Sequence, residues 1–293
     1  MTETHEQNRL VVVAGATGYL GKHVVRALHR DGWKVRAVVR NRSRLGEVEA
    51  LCAEVVTAEV TRAETLKGCF DGARAVFSSV GVRSFKRKPT YETVDYQGNL
   101  NLVEGAEAAG VSRFVFVSVL GGEVHRRISP LVNARERIVD RLKTSSMKTA
   151  VLRPTGFFND LGDYFAMAKR GKAWLIGSGE TKINPIHGAD LADVAAHAIA
   201  DPHPDPEIPA GGPDIFSQRE IAEMAFQLLN KPPRFGHVSP GLIRAAAKII
   251  SPFNKNLAAL ALMFSILGET DATAPCCGTH RLVDHFETLA ESG

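Results

Sequence analysis

Several shortages in the 293-residue sequence each close off a class of protein. Its four cysteines are Cys52, Cys69 and the adjacent pair Cys276 and Cys277. They are too few and wrongly spaced for a disulfide framework or a C-x-x-C metal site, so a reduced, cytoplasmic protein is expected. No apolar run reaches the roughly 20 residues needed to cross a bilayer. The longest late one, LAALALMFSIL at 257–267, reads as a buried or interface helix, and the 241–267 helices together offer a possible homodimer surface. The polar octet Met1–Asn8 carries neither a secretory nor a transit pattern. Charge of one sign is also scarce: 36 Lys+Arg against 32 Asp+Glu leave +4, far from the basic footprint of a nucleic-acid binder. No nucleic-acid partner and no membrane span is therefore expected. Repeats and low-complexity tracts are missing too.

What is present is alternation. Short apolar runs at 10–14, 35–39, 54–57, 74–77, 114–119 and 149–152 are separated by stretches with helical spacing, such as Leu20, Val24, Ala27 and Leu28. Six strands in this rhythm predict an α/β fold, a doubly wound parallel (Rossmann) sheet with helices on both faces. After Pro154 come Gly- and Pro-rich connections and helical patterns at 189–200, 217–229, 241–250 and 256–267. Residues 1–153 are thus expected to form a nucleotide-binding domain. Residues 154–293 form a smaller cap or substrate region, packed on the same core and partly interleaved with it.

The first run ends in GATGYLG, which places Gly15, Gly18 and Gly21 between a β-branched strand and an amphipathic helix. A tight turn, close approach of backbone N–H groups to a pyrophosphate, and close helix-to-strand packing each need one of these glycines. A dinucleotide is the expected ligand. The end of the second strand selects its adenosine ribose: VVRNRSR puts Arg40, Arg42 and Arg44 where an acidic residue would accept from the NAD 2′-hydroxyl. Guanidinium groups suit a 2′-phosphate, so NADPH is expected in preference to NADH. Glu59 and Val60, after the third strand, are placed to flank the adenine.

With GATGYLG, VVRN, VDYQGNLNLVEGAEAAGVSRFVFVS and LRPTGFF in this order, the chain resembles the short-chain dehydrogenase/reductase superfamily, in its atypical or extended NmrA-like NAD(P)-binding branch. The resemblance covers roughly residues 10–200. It implies a cofactor lying across the carboxyl ends of the strands. There it would touch Gly15, Ala16, Thr17, Gly18, Tyr19, Leu20 and Gly21, then Ser79, Val80 and Gly81, then Val117 and Ser118. Pro154, Thr155 and Gly156 would lie against the nicotinamide. In that superfamily a serine or threonine ends the fifth strand and a following helix supplies Tyr-x-x-x-Lys as the proton relay. Ser118 is in place, but the helix position reads Leu131-Val-Asn-Ala-Arg135. Tyrosine is absent between Tyr96 and Tyr164, and lysine between Lys88 and Lys143, so the usual relay is missing.

Leu131, Arg135, Ile138 and Leu142 share a helix face, which sets Arg135 in an apolar stripe. Its guanidinium either replaces the lysine at the cofactor or pairs with a nearby carboxylate; in both cases it stays charged. Candidate proton donors are His125, Tyr164 and His187, and water is a further source. Phe157 and Phe158 are pocket lining or core. A metal held by His187, Asp190 and Asp193 would need three ligands on converging faces, nothing else in the sequence supports one, and none is expected. The loop holding Arg83, Lys86, Arg87 and Lys88 is an anion-attracting edge or a solvated turn. These features predict an NADPH-dependent oxidoreductase acting on a small organic substrate, with Ser118 and Arg135 organising the site. Two alternatives stand beside it: a non-catalytic NAD(P)-binding sensor or scaffold, and a redox-neutral isomerase.

Overall fold

In the first strand, β1 (Leu10–Ala14), Val11 and Val13 bury against one helical layer while Val12 and Ala14 bury against the other. The same division recurs in β5 (Arg113–Val117): Val115 and Val117 face one layer, Phe114 and Phe116 the opposite one. A strand that is apolar on both faces needs helices on both sides. The computed structural model, which describes residues 9–82 and 86–291, shows this arrangement.

The remaining strands of the main sheet are β2 (Lys34–Val39), β3 (Glu54–Thr57), β4 (Ala75–Ser78), β6 (Lys148–Pro154) and β9 (Glu207–Ala210). They run parallel in the order β3-β2-β1-β4-β5-β6-β9. The order reverses between β1 and β4, which opens a crevice at the carboxyl ends of those two strands. One face carries α1 (Tyr19–Arg30) and α6 (Gly188–Ala200). The other carries α2 (Asn99–Ala108) and α4 (Pro130–Lys143). Outside these layers lie α3 (Gly122–His125), α5 (Phe158–Lys169), α7 (Gln218–Leu228), α8 (Pro240–Ile250), α9 (Lys255–Leu267) and α10 (Leu282–Glu291). Phe158, Phe165, Phe226 and Phe286 from α5, α7 and α10 form a separate apolar core with β7 (Ala173–Ile176). Two short two-stranded sheets complete this region: β7 with β11 (Phe235–Val238), and β8 (Lys182–Ile183) with β10 (Phe216–Ser217).

The sheet has seven strands, not the six counted from the apolar runs. The seventh comes from DPHPDPEIPAGGPD, a segment whose prolines read as a turn. β9 is an edge strand, however, and Pro209 stands opposite Arg153 of β6 without interrupting the pairing. Edge positions tolerate a missing N–H. Residues beyond 154 thus contribute both a strand and the α6 helix to the sheet body.

The α1–β1 junction leaves no room at Gly21. A Cβ there would lie 2.1 Å from the Gly15 carbonyl oxygen and 2.9 Å from the Ala16 Cα. Gly21→Ala is expected to destabilise the chain by about 1–3 kcal/mol through backbone overlap. Thermal melting should show a Tm lower by several degrees, and an unchanged Tm would disprove the clash.

Candidate functional site

Gly15 follows β1 with φ of +91°, a left-handed conformation that glycine adopts without strain. A side chain there would fall 2.8 Å from the Ser79 hydroxyl, so the ends of β1 and β4 touch through a residue with no Cβ. The Gly18 N–H donates to the Gly15 carbonyl at 2.9 Å, and α1 begins with no side-chain cap and no acidic residue in its first turn. An uncapped helix start with no acidic residue of its own keeps its first N–H groups and positive dipole end available, the arrangement that suits a phosphate. The residues present fit the pyrophosphate of a dinucleotide.

The arginines after β2 are differently occupied. Arg42 is exposed and its Nε donates to Glu49 at 2.6 Å. Arg40 is 59% exposed and its Nη1 stands 3.9 Å from Glu59, too far for a direct hydrogen bond. Val60 is buried against Gly98, and its carbonyl accepts from Asn101 at 2.8 Å. Val60 therefore serves the core at least as directly as an adenine pocket. Arg83 of the basic loop lies outside the described residues.

Two buried ionic chains underlie the opposite half of the crevice. In the first, Ser118 Oγ donates to Glu136 Oε1 at 2.5 Å. Glu136, which is fully buried, receives Arg153 through both oxygens at 2.9 and 3.0 Å, and Arg153 reaches on to Glu207 of β9 at 2.7 Å. This contact with Arg153 holds the Glu207 carboxyl below its usual range. Gly122 makes space for Glu136, since a Cβ there would sit 2.2 Å from its Oε1. The Ser118 hydroxyl is thus engaged within the protein.

The second chain is built on Arg135. Its Nη1 donates to the Val117 carbonyl at 2.8 Å, and its Nη2 lies 2.9 Å from Oδ1 of Asp95. Asp95 is fully buried in a π-helical turn, Glu92–Gly98, and its Oδ2 accepts the Val82 N–H at 2.9 Å. Burial pushes its carboxyl up against the pull of Arg135. A Cβ on Gly81 would lie 2.0 Å from Arg135 Nη2, so the guanidinium occupies the space beneath the turn after β4. Arg135 is paired with a carboxylate in this arrangement. The carboxylate is Asp95, which the sequence reading did not single out.

The three proton-donor candidates are not brought together. The Tyr164 hydroxyl donates to Gln218 at 3.1 Å within the α5–α7–α10 core, and burial pushes its phenol up to about 12. His125 ends α3 with its ring against Gly121, and burial lowers its pKa. His187 sits in an aromatic cluster. It caps α6 by accepting from the Ala189 N–H at 3.3 Å, stacks on His280 at 4.3 Å, and lies 5.2 Å from His23. His280 contacts Asp190 at 2.7 Å, whereas Asp193 turns away to Arg30 at 3.0 Å. The Gly188 N–H donates to the Tyr19 hydroxyl at 3.0 Å, which ties this cluster to the glycine turn. His23 and His280 are more than 250 positions apart in the chain, so no spacing signal could have joined them. Thr155 is buried and donates to the Asn184 carbonyl at 2.6 Å. Phe158 is core, and Phe157 packs edge-on to Tyr19. A separate cavity of about 350 Å³, lined by Arg9, Trp33, Arg74 and Asp193, opens at the amino ends of the strands, away from the glycine turn.

Two stability measurements follow. Glu136→Gln leaves Arg153 with a weakened buried partner and is expected to cost about 3–5 kcal/mol in urea unfolding. Glu207→Gln, at a half-exposed carboxylate, should cost about 1 kcal/mol or less. Burial, followed by the charges of His280 and His23, lowers His187 to about 4. The folded protein therefore holds His187 neutral while the unfolded chain takes up a proton near pH 6.5. Stability from this group is complete above that pH and is lost as pH falls toward 4. Tm should decline across this window, and more gently in His187→Asn, which keeps the helix cap.

The NAD(P)H-binding family profile matches residues 15–202. Among curated relatives, the chloroplastic divinyl chlorophyllide a 8-vinyl-reductase of Oryza sativa subsp. indica is 32% identical over 270 residues, which are 84% of this chain and 65% of that protein. The photosystem II assembly factor Ycf39 of Guillardia theta is 32% identical over 192 residues, 65% of this chain and 60% of that one. The chain thus spans less than two thirds of the length of either relative. The Escherichia coli NADPH-dependent quinone oxidoreductase QOR2, solved with NADPH, superposes with a TM-score of 0.71 at 22% identity, covering 95% of this chain and 99% of that one. Citrobacter sp. triphenylmethane reductase, solved with NADP(H), superposes with a TM-score of 0.73 at 17% identity, covering 96% and 99%. These two superpositions speak to the fold. The profile match, over residues 15–202, shows that the chain belongs to the NAD(P)H-binding family, and the glycine turn and seven-stranded sheet agree with it.

Proposed function

We propose that this protein is an NADPH-dependent reductase of small, apolar, conjugated organic substrates, working without the Tyr-x-x-x-Lys relay. The observation that carries the reading is the uncapped glycine turn at the crevice, with Arg135 anchored under Gly81 across from it. When bound, NADPH supplies a hydride to an electron-poor carbon. The backbone from Gly15 to Gly21 and the start of α1 hold the pyrophosphate, and Arg40 meets the 2′-phosphate. Arg135, fixed by Asp95 and the Val117 carbonyl, remains charged and stabilises negative charge without giving up a proton. Tyr164 is committed to Gln218, and His125 and His187 are held neutral near pH 7 by burial, so water is the proton source this reading favours. An activated C=C bond or a quinone tolerates that source better than an isolated ketone. Relatives named as a vinyl-reductase, a quinone oxidoreductase and a triphenylmethane reductase support this substrate class.

A second reading, a non-catalytic NAD(P)-binding scaffold or sensor, has its own observation. Ser118 and Arg135 are both satisfied by internal partners, Glu136 and Asp95, and one relative is named as an assembly factor. Oxidation of NADPH across a panel of enones, imines and quinones separates the two readings. Turnover is expected, with kcat/KM lowered about 100-fold in Arg135→Ala and partly restored in Arg135→Lys. Arg40→Ala should weaken NADPH in calorimetric titration and leave NADH unchanged. Tight cofactor binding with no turnover on any panel member would assign the chain to the second reading.

A further inference from the structure

Helix α8 (Pro240–Ile250) carries more apolar surface than its neighbour covers. It packs on α9 (Lys255–Leu267). Ala247 is buried, and Ile243 and Ile250, on the same side of the helix, are half-buried. Leu242 and Ile249 are spaced seven residues apart on another side, and they are 64% and 72% exposed. Phe253, just after the helix, is 68% exposed. Three large apolar side chains in a span of 12 positions are thus left to solvent, more than isolated surface residues require.

The charge within this stretch of the chain has one sign. From Met224 to Gly268 the chain contains Lys231, Arg234, Arg244, Lys248 and Lys255 and not one aspartate or glutamate. Arg244 is answered from outside this stretch by Glu269 at 2.7 Å. On the helical wheel Lys248 borders the exposed apolar arc. Asn256 of α9 donates to the carbonyls of Lys86 and Pro89 at 2.8 and 2.7 Å, which pins the exposed Arg87 and Lys88 beside the start of α9. The described part of the basic loop, from Lys86 on, thereby meets the α8–α9 hairpin at the start of α9.

An amphipathic helix with large apolar side chains on one arc and lysines at its border, free of carboxylates, matches the surface of an anionic bilayer. We propose that the α8–α9 hairpin docks on such a surface. Leu242, Ile249 and Phe253 enter the boundary between headgroups and acyl chains, while Lys248, Lys255 and the Arg87–Lys88 pair meet the headgroup phosphates. Neither helix is long enough to cross. The hairpin lies on the membrane and leaves the sheet body in water. This inference does not depend on whether the chain turns over a substrate.

The test uses the full chain with vesicles of phosphatidylcholine alone or mixed with phosphatidylglycerol. Co-sedimentation is expected with the mixed vesicles only, and release at high salt. The double substitution Ile249→Ser with Phe253→Ser should weaken partitioning about tenfold, as should Lys248→Glu with Lys255→Glu. All four sites are exposed, so Tm and cofactor affinity should be unchanged. Failure to sediment with mixed vesicles at low salt would overturn the proposal, as would undiminished sedimentation of the Ile249→Ser/Phe253→Ser protein. A concentration-dependent dimer in sedimentation equilibrium, lost in that variant and unaccompanied by lipid binding, would instead assign the surface to a second copy of the chain.

Discussion

The first turn of α1 rests on the backbone of the β1 turn with nothing between them, because Gly21 supplies no side chain to separate them. Much of the crevice depends on that contact. It sets the direction of α1, leaves the first N–H groups of the helix facing the carboxyl ends of the strands, and brings Tyr19 to the N–H of Gly188. Through that hydrogen bond the nucleotide turn is coupled to α6, which shares a core with α1 on the same face of the sheet. A single missing methyl group thus links the cofactor end of the molecule to residues far along the chain.

The other half of the crevice is held by charge. Glu136 and Asp95 are both fully buried, and each is answered by an arginine, Arg153 and Arg135 respectively. A buried carboxylate is costly unless paired, and in these two pairs the guanidinium also bonds backbone or neighbouring carboxylate oxygens. These chains cross from α4 to the ends of β5, β6 and β9, so the helix that would carry the superfamily's proton relay works here as a brace. That brace sets the paired guanidinium of Arg135 directly under Gly81.

Much of the sheet body can be read from the residues because its signals are local. Runs of β-branched residues, alternation across a strand and helical spacing all act within a few positions, and the predicted strands and late helices coincide with observed elements to within two residues. β9 escapes that reading because proline signals a turn locally and becomes acceptable only once the strand is known to lie at an edge. The histidine cluster escapes it for a different reason. His23, His187 and His280 come from three distant segments, and nothing in their local context distinguishes them from isolated histidines.

The sequence by itself determined the class of fold, the nucleotide turn and the loss of the tyrosine-lysine relay, since each follows from residue types at short fixed separations. Tertiary structure alone decided what became of Arg135 and Ser118. The partner of a guanidinium is whichever group the fold brings to it, and here Asp95 of the π-helical turn Glu92–Gly98 lies 2.9 Å from Arg135. It also decided that half of the apolar arc of α8 faces solvent. Burial belongs to the partner as much as to the helix, and α9 covers one side only.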